Sequence, residues 1–159
     1  MKIYLAGPLF SSAERDFNAR LAGLLRQRGI EVWLPQEAEQ HAMSPRQIFE
    51  EDVRGIDWAD VVVANMDGAD PDSGTCWECG YAYRKKPIIL FRTDFRSGYE
   101  VREAGNAGHD PAPYNLMLTE SADDRLDLPF KSAEDIAINI AQALSRLDLP
   151  LGHPAPPPG

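Results

Sequence analysis

The sequence predicts an α/β fold in which helices cover both faces of a doubly wound, mostly parallel sheet. Short apolar runs rich in β-branched residues, which are typical of strands buried on both faces, alternate with longer segments of helical periodicity. Turn and cap residues separate each run from the segment that follows it. Strands that alternate with helices in this way form a parallel sheet with right-handed connections.

Four segments are predicted to be strands. Gly7 and Pro8 end the first run and Pro35 ends the second, whereas Pro87 is allowed as the first residue of the fourth. The third run, which contains three consecutive valines, is the most apolar. The predicted strands are residues 2–6, 30–34, 59–65 and 87–91.

Caps and apolar stripes locate the helices. A serine precedes three of them, and Thr75 is the predicted N-cap of a fourth. The serines are Ser11 or Ser12, Ser44 and Ser132. The predicted helices run from Ser11 or Ser12 to Gly29, over 45–58, 76–84 and 133–147, with a short helix or turn at 114–118. The second of these is expected to bury Ile48, Phe49, Val53 and Ile56.

Length and composition predict one domain over residues 1–149, followed by an extended Pro-rich tail over 150–159. No apolar run approaches the roughly 18 residues of a membrane span, and no secretory h-region follows Lys2, so a cytoplasmic location is expected. The formal net charge of −9 argues against nucleic acid strands as partners. The segment from Arg92 to Pro113 reads as a long loop, which is usually functional or mobile.

Two common nucleotide-binding signatures are missing from the sequence. The first predicted strand is not followed by G-x-G-x-x-G, and no G-K-[ST] motif is present. Neither a dinucleotide site nor ATP chemistry is therefore supported.

The stretch from Asp67 to Tyr81 links the third strand to a helix and is the candidate functional centre. Ligands of open α/β sheets bind beyond the carboxyl ends of the strands, so Glu78, expected in the first turn of that helix, faces the ligand crevice. A carboxylate there is ionised near neutral pH and favoured by the helix N-terminus, which suits a nucleophile. The alternative is that Glu78 only caps and charges its helix.

The same stretch contains a C-x-x-C pattern at a helix start. Cys76 and Cys79 could form a redox dithiol, or they could be reduced cysteines that pack under the helix. The histidines, His41, His109 and His153, are scattered without metal-ligand spacing, so a zinc site is not expected.

A second pattern is rich in carboxylates. In the flavodoxin-like (Rossmann-like) strand order 2-1-3-4-5, expected for a five-stranded sheet, the first and third strands are neighbours at the switch point. Tyr4, Gly7, Asp72 and Glu78 could then surround one pocket. The acidic residues expected at this end of the sheet are Asp52, Asp67, Asp70, Asp72 and Glu78. Paired carboxylates are what glycosyl transfer needs, although a solvated acidic loop gives the same pattern.

Four separated segments resemble the nucleoside 2-deoxyribosyltransferase family. The first is Ile3-Tyr4 followed by a small-residue turn, with Gly7, and then Phe10. The second, residues 52–60, resembles D-x-x-G-I-x-x-x-D, and the third, residues 72–82, resembles D-x-G-x-x-x-E-x-G-Y-A. The fourth is Asn115-Leu116-Met117, which resembles N-L-M. The resemblance covers about three quarters of the chain, from Tyr4 to Met117.

The resemblance implies three catalytic roles. Glu78 would be the nucleophile, Tyr4 would orient it, and Asp52 would transfer a proton to and from the base. The implied substrate contacts are Gly7, Phe10, Gln36, Asp72, Asn115 and Met117. Asp72 would bind the sugar and Gln36, a weaker match, the base, while Asn115 would reach into a neighbouring subunit's site and hold the deoxyribose hydroxyl.

The activity that the resemblance implies is transfer of a 2-deoxyribosyl group between purine or pyrimidine bases through a covalent deoxyribosyl-Glu78 intermediate. It needs no metal or organic cofactor, and it implies a homo-oligomer whose partners are 2′-deoxynucleosides and free bases. One alternative is a 2′-deoxynucleoside 5′-monophosphate N-glycosidase, in which Ser11, Ser12 and a helix N-terminus could hold the phosphate. Another is a noncatalytic nucleoside-binding domain.

Overall fold

The computed structural model describes residues 1–38, 40–95 and 114–147. Residues 96–113 of the predicted long loop and the predicted Pro-rich tail, 150–159, lie outside the described residues. Among the described residues, no helix is both long and apolar enough to cross a membrane.

A parallel sheet forms the centre of the fold. Its order is β2-β1-β3-β4-β5, and each pair of neighbours runs parallel, which confirms the flavodoxin-like prediction. The central strands are buried along their whole length, as their β-branched composition predicts. The strands are β1 (Lys2–Ala6), β2 (Glu31–Trp33), β3 (Val61–Asn65), β4 (Ile88–Arg92) and β5 (Asp124–Asp127).

Helices cover both faces of the sheet. Ile3 and Leu5 of β1 pack into one core cluster with the helices α1 and α5, whereas Tyr4 and Ala6 point into the other cluster with α2 and α3. This alternation brings Tyr4 to the face that carries the candidate nucleophile. The helices are α1 (Ser12–Arg26), α2 (Pro45–Trp58), α3 (Ser73–Ala82), α4 (Leu116–Thr119) and α5 (Ala133–Arg146).

The fifth strand was expected in the sheet but was not located in the sequence. β5 reads Asp-Arg-Leu-Asp, with only Leu126 contributing an apolar side chain, which is partly buried against the α1–α5 core. A strand at the edge of a sheet needs few apolar residues because one of its sides has no neighbouring strand. The apolar pattern on which strand prediction depends is therefore weak here.

The start of α3 differs from the prediction. The N-cap is Asp72, whose carboxylate accepts hydrogen bonds from the backbone N–H and hydroxyl of Thr75 at 2.9 and 3.1 Å. Thr75, the predicted cap, is inside the helix and buried. Both residue types cap helices, and the longer helix gains one turn when the earlier one is used. Glu78 consequently lies in the second turn of α3, and the prediction that placed it in the first turn was wrong.

The buried face of α2 is narrower than predicted. Ile56 is fully buried, but Phe49 is 42% exposed, so its place in the buried set was wrong. The Phe49 ring instead contacts that of Trp77 on α3 at a centroid distance of 5.2 Å. The carboxyl end of α2 is held by Lys86, whose ammonium donates to the carbonyls of Ile56, Asp57 and Ala59. This contact fixes the helix on which Asp52 lies.

Candidate active site

The centre of the candidate site is a hydrogen bond between β1 and α3. The hydroxyl of Tyr4 donates to Oε1 of Glu78 at 2.5 Å, and Tyr4 has no exposed surface. Burial, followed by the charges of Glu78 and Asp52, raises the pKa of Tyr4, so the hydroxyl keeps its proton. Tyr4 is therefore fixed as a donor that orients one carboxylate oxygen.

Burial raises the pKa of Glu78 to about 8. Burial is the largest cause; the hydrogen bond from Tyr4 acts in the opposite direction, and the charges of Asp52 and Asp72 contribute smaller upward shifts to the same value. The expectation of a carboxylate that is ionised near neutral pH and favoured by a helix N-terminus was wrong for the protein without substrate. Glu78 lies beyond the first turn, where the effect of the helix dipole fades, and burial dominates.

Asp52 of α2 is the second carboxyl group of the site. Burial raises its pKa to about 6, and its charge in turn raises the pKa values of Tyr4 and Glu78. Its Oδ1 is buried and has no hydrogen-bond partner in the described part of the chain. A buried carboxyl oxygen without a partner is costly unless a ligand or water completes it, which suits a group that exchanges a proton.

Asp72 lies six residues before Glu78, at the N-cap of the same helix. Both hydrogen bonds that Asp72 accepts from described residues reach its Oδ2. One comes from the backbone N–H of Thr75 and the other from the Thr75 hydroxyl. Its Oδ1 is therefore available to a ligand. Asp72 is also near enough to raise the pKa of Glu78 through its charge.

The other predicted contacts after β1 and β2 are placed differently. Gly7 approaches Asn65 so closely that a Cβ on it would lie 3.2 Å from the Asn65 Cβ, while Phe10 is 76% exposed. The Gln36 amide is used internally: its oxygen accepts from Asn18 at 3.2 Å and its nitrogen donates to the Arg15 carbonyl at 2.8 Å. These contacts turn Gln36 toward α1, so the geometry gives no support to a base contact.

Asn115 and Met117 lie on the far side of α3 from Glu78. Together with Cys76, Gly80 and Tyr83 they line a groove of about 680 Å³. Cys76 and Gly80 are each two residues from Glu78, about 200° away around the helix. The Asn115 side chain caps α4 by accepting from the Met117 N–H at 2.9 Å, and Met117 is 74% exposed. Within one chain, these residues therefore do not meet Glu78.

Asn18 and Asp67 have structural roles that no motif in the sequence indicates. Asn18 is buried on α1 and donates to the Pro8 carbonyl at 2.9 Å, which holds the turn after β1. The signal for Asn18 in the sequence is its position as a polar residue next to the apolar stripe of α1. Asp67 is one of several acidic residues in its loop, and its carboxylate accepts from the backbone of Thr93 and Asp94.

The two cysteines do not have the properties of a redox dithiol. Both are free; burial raises the pKa of Cys76 and raises that of Cys79 to about 12. Both groups are thiols at neutral pH, whereas redox cysteines need an acidified thiol. In the described ranges, no group of three or more His, Cys, Asp or Glu residues could hold a metal ion.

The chain is similar to known proteins over most of its length. Residues 3–117 match the family model described as nucleoside 2-deoxyribosyltransferase. A conserved protein from Enterococcus faecalis V583 is 31% identical, with a TM-score of 0.69, and the match covers 90% of this chain and 98% of that one. A 2-deoxyribosyltransferase from Bacillus psychrosaccharolyticus is 28% identical, with a TM-score of 0.61 and coverage of 86% and 90%.

A further relative comes from Thermofilum pendens and bears the provisional name 2′-deoxynucleoside 5′-phosphate N-hydrolase 1. It is 34% identical over an alignment of 96 residues, and the match covers 56% of this chain and 66% of that protein, slightly less than two thirds of its length. The family match spans well over half of the chain and includes the segments with Tyr4, Asp52 and Glu78. The chain belongs to the nucleoside 2-deoxyribosyltransferase family.

Proposed function

We propose that this protein transfers a 2-deoxyribosyl group from a 2′-deoxynucleoside to a second base through a covalent bond to Glu78. The observation that carries the proposal is the hydrogen bond from the fully buried Tyr4 to the partly buried Glu78, with the Asp52 carboxyl group close enough to affect the pKa of both. One oriented carboxylate and one carboxyl group with a raised pKa are the pair that a retaining glycosyl transfer needs.

In the first half of the reaction, an oxygen of Glu78 attacks C1′ of the donor nucleoside. The C1′–N bond breaks, its electron pair stays on the base nitrogen, and Asp52 gives the leaving base a proton. In the second half, a nitrogen of the incoming base attacks C1′, the C1′–O bond returns its electron pair to Glu78, and Asp52 takes up the proton of that base. Two inversions at C1′ restore the original configuration.

The nucleophile must be ionised for this reaction, although burial favours its protonated form in the empty site. Tyr4 supplies the compensating interaction, because a hydroxyl that donates to one carboxylate oxygen stabilises the charged form. Asp52, with a pKa of about 6, is protonated in a larger fraction than an ordinary aspartate would be. Burial therefore lowers the ionised fraction of Glu78 and raises the protonated fraction of Asp52 at a given pH.

Hydrolysis of deoxynucleoside 5′-monophosphates is the second candidate, and the similarity to the Thermofilum pendens relative favours it. The geometry of α1 argues against a phosphate at its N-terminus. The Glu14 carboxylate already accepts from the Ser11 N–H at 2.7 Å, and the Ser11 hydroxyl accepts from the Glu14 N–H. The chain's own carboxylate thus uses a donor that a phosphate would need and would repel the phosphate.

The proposal includes a second copy of the chain. Leu116 and Met117 are 62% and 74% exposed beside the groove along α3, and Asn115 is exposed with them. We expect this segment to pack against another copy, with Asn115 and Met117 completing the sugar site there. Active protein that is monomeric by light scattering at the assay concentration would contradict this arrangement.

The experiment that tests the function is a chromatographic assay of base exchange. Purified protein is mixed with 2′-deoxyinosine and adenine, with thymidine as an alternative donor, and with deoxynucleoside 5′-monophosphates alone. Formation of 2′-deoxyadenosine that disappears in Glu78→Ala supports transfer. The control is Glu31→Ala, which removes an exposed glutamate at the amino end of β2, opposite the carboxyl ends of the strands. Release of base from the monophosphates without exchange supports the hydrolase.

A further inference from the structure

We propose that Asp67 is a positioning residue that holds Asp72 in place for sugar binding by tying the loop between β3 and α3 to the chain that leaves β4. The inference rests on the proposed function, in which Asp72 contacts the deoxyribose. Asp67 itself is not required to touch the substrate.

Asp67 makes three short contacts with one turn of backbone. Its Oδ1 accepts from the N–H groups of Thr93 and Asp94 at 2.6 and 2.8 Å, and its Oδ2 accepts from the Thr93 hydroxyl at 2.6 Å. Hydrogen bonds to an ionised group are the stronger kind, and three that converge on one side chain fix its orientation. The second residue after β3 is thereby fastened to the first two residues after β4.

A second contact fastens the next residue of the loop. Gly68 adopts a φ of +115°, which favours glycine, and its carbonyl accepts from Nη2 of Arg92 at 2.7 Å. Arg92 is only 3% exposed, and its Nε and Nη1 have no partner among the described residues. The Gly68 N–H also donates to Oδ2 of Asp94 at 3.4 Å, so Gly68 is held by one short and one long hydrogen bond, whereas the Asp67 carboxylate accepts three short ones.

The loop between the two anchored ends has little other support. Beyond Gly68, Ala69 and Asp70 are exposed, and the next residue with strong hydrogen bonds is Asp72, which caps α3 through Thr75. Asp72 is therefore held from upstream through the contacts of Asp67 and Gly68, of which those of Asp67 are the more numerous, and from downstream through its own helix. We expect that loss of the Asp67 contacts loosens the loop that leads to the Asp72 carboxylate.

Glu78 is held separately. It receives the Tyr4 hydrogen bond, and its neighbour Cys79 and the helix residue Ala82 are fully buried against the sheet. A change at Asp67 should consequently weaken sugar binding through Asp72 while leaving the nucleophile in place. The expected signature is a large effect on the donor KM and a small effect on kcat.

The primary variants are Asp67→Ala and Asp67→Asn, measured in the base-exchange assay. Asp67→Ala removes all three acceptors, and we expect the donor KM to rise about tenfold or more with kcat within about threefold, since small displacements of binding groups have large kinetic effects. Asp67→Asn keeps one oxygen that can accept from Thr93 and Asp94. We expect this conservative variant to restore the donor KM to within about threefold of the parent value.

Asp123 provides a matched control, because its side chain also contacts β4. The Asp123 carboxylate accepts from the Ile88 N–H at 2.8 Å, so it fastens the amino end of β4, away from the site. Asp123→Ala should lower the thermal unfolding midpoint to a degree similar to Asp67→Ala and leave the donor KM unchanged. A general loosening of β4 would affect both variants alike.

A binding measurement separates this inference from the proposed function. In the Glu78→Gln background, where turnover is not expected, calorimetry gives the Kd of 2′-deoxyinosine with and without Asp67→Ala. A rise of about tenfold or more supports the positioning role even if the parent protein does not exchange bases, which would overturn only the proposed function. Equal Kd values, equal KM changes in Asp67→Ala and Asp123→Ala, or a loss confined to kcat would overturn the role of Asp67.

Discussion

The two sides of α3 differ in how many of the residues around them a single chain supplies. Toward β1, Glu78 is partly buried and paired with Tyr4, and the groups that affect its pKa are already in place. Toward α4, Cys76 and Gly80 line an open groove beside the exposed Met117. One side thus carries groups suited to chemistry, whereas the other carries surface suited to contact. Each of the following predictions tests that division.

On the side of α3 that faces β1, Asp52→Asn is expected to cause the largest loss of activity after removal of Glu78 itself. Asparagine cannot donate a proton to the leaving base as an acid, so kcat for exchange should fall about 10²- to 10⁴-fold. The loss should be greatest for donors whose bases are poor leaving groups. Steady-state assays with a series of deoxynucleosides measure this trend, and a loss equal for all donors would argue against proton transfer by Asp52.

The hydrogen bond from Tyr4 is expected to have the next largest effect. Tyr4→Phe keeps the ring and its packing but removes the donor to Oε1 of Glu78. A hydrogen bond to a charged group contributes about 1.5–3 kcal/mol, so kcat/KM should fall about 10- to 150-fold. The far-ultraviolet circular dichroism spectrum should stay the same, because the change removes a single oxygen. Undiminished activity would show that Glu78 is oriented by other means.

The pH dependence of kcat/KM should follow the two carboxyl groups. The reactive form has ionised Glu78, whose pKa is about 8, and protonated Asp52, whose pKa is about 6. Activity should rise tenfold per unit up to about pH 6, stay level to about pH 8, and then fall. In Asp52→Asn only Glu78 still titrates, so activity should keep rising toward about pH 8 and show no fall above it. Profiles of the two proteins in matched buffers check this difference.

The open side should respond to the state of assembly. Met117→Asp places a charge on the exposed surface beside the groove, so it should shift the protein toward monomer and lower activity at low protein concentration. We expect a loss of about tenfold that is smaller at high protein concentration, because association follows mass action. Light scattering and activity at several concentrations measure both effects. A monomer with full activity would remove the open side from the site.

The fold could be predicted where burial leaves a signal in the residue types. β3 and β4 are buried along their whole length and consist mainly of apolar, largely β-branched residues, so both strands could be predicted from the sequence. β5 is an edge strand whose sequence contains three charged residues and one leucine, so no local pattern distinguished it from a loop. Its place is determined by backbone pairing with β4 rather than by its composition.

The residues of the candidate site could be predicted from the sequence, but their burial and pKa values could not. Tyr4, Asp52 and Glu78 were identified through motifs, and α2 and α3 bring them together on one face of β1. The raised pKa of Glu78 depends on burial by segments distant in sequence, which no local pattern reports. The start of α3 was misplaced because Asp72 and Thr75 are both capping residues three positions apart, and only the fold decides between them.

The buried Glu78 also affects the thermodynamics of folding. Its pKa is about 8 in the folded protein against an ordinary 4.5, so at neutral pH the chain takes up a proton as it folds. The raised value makes this contribution to stability fully present below about pH 4.5 and lost as the pH rises through about 8. Tyr4 and Glu78 are 74 positions apart, so the environment that raises this pKa exists only in the folded chain. The proposed nucleophile is thus ionised under the conditions in which it contributes least to stability, so the proposed function implies a trade-off between stability and activity at a single carboxyl group.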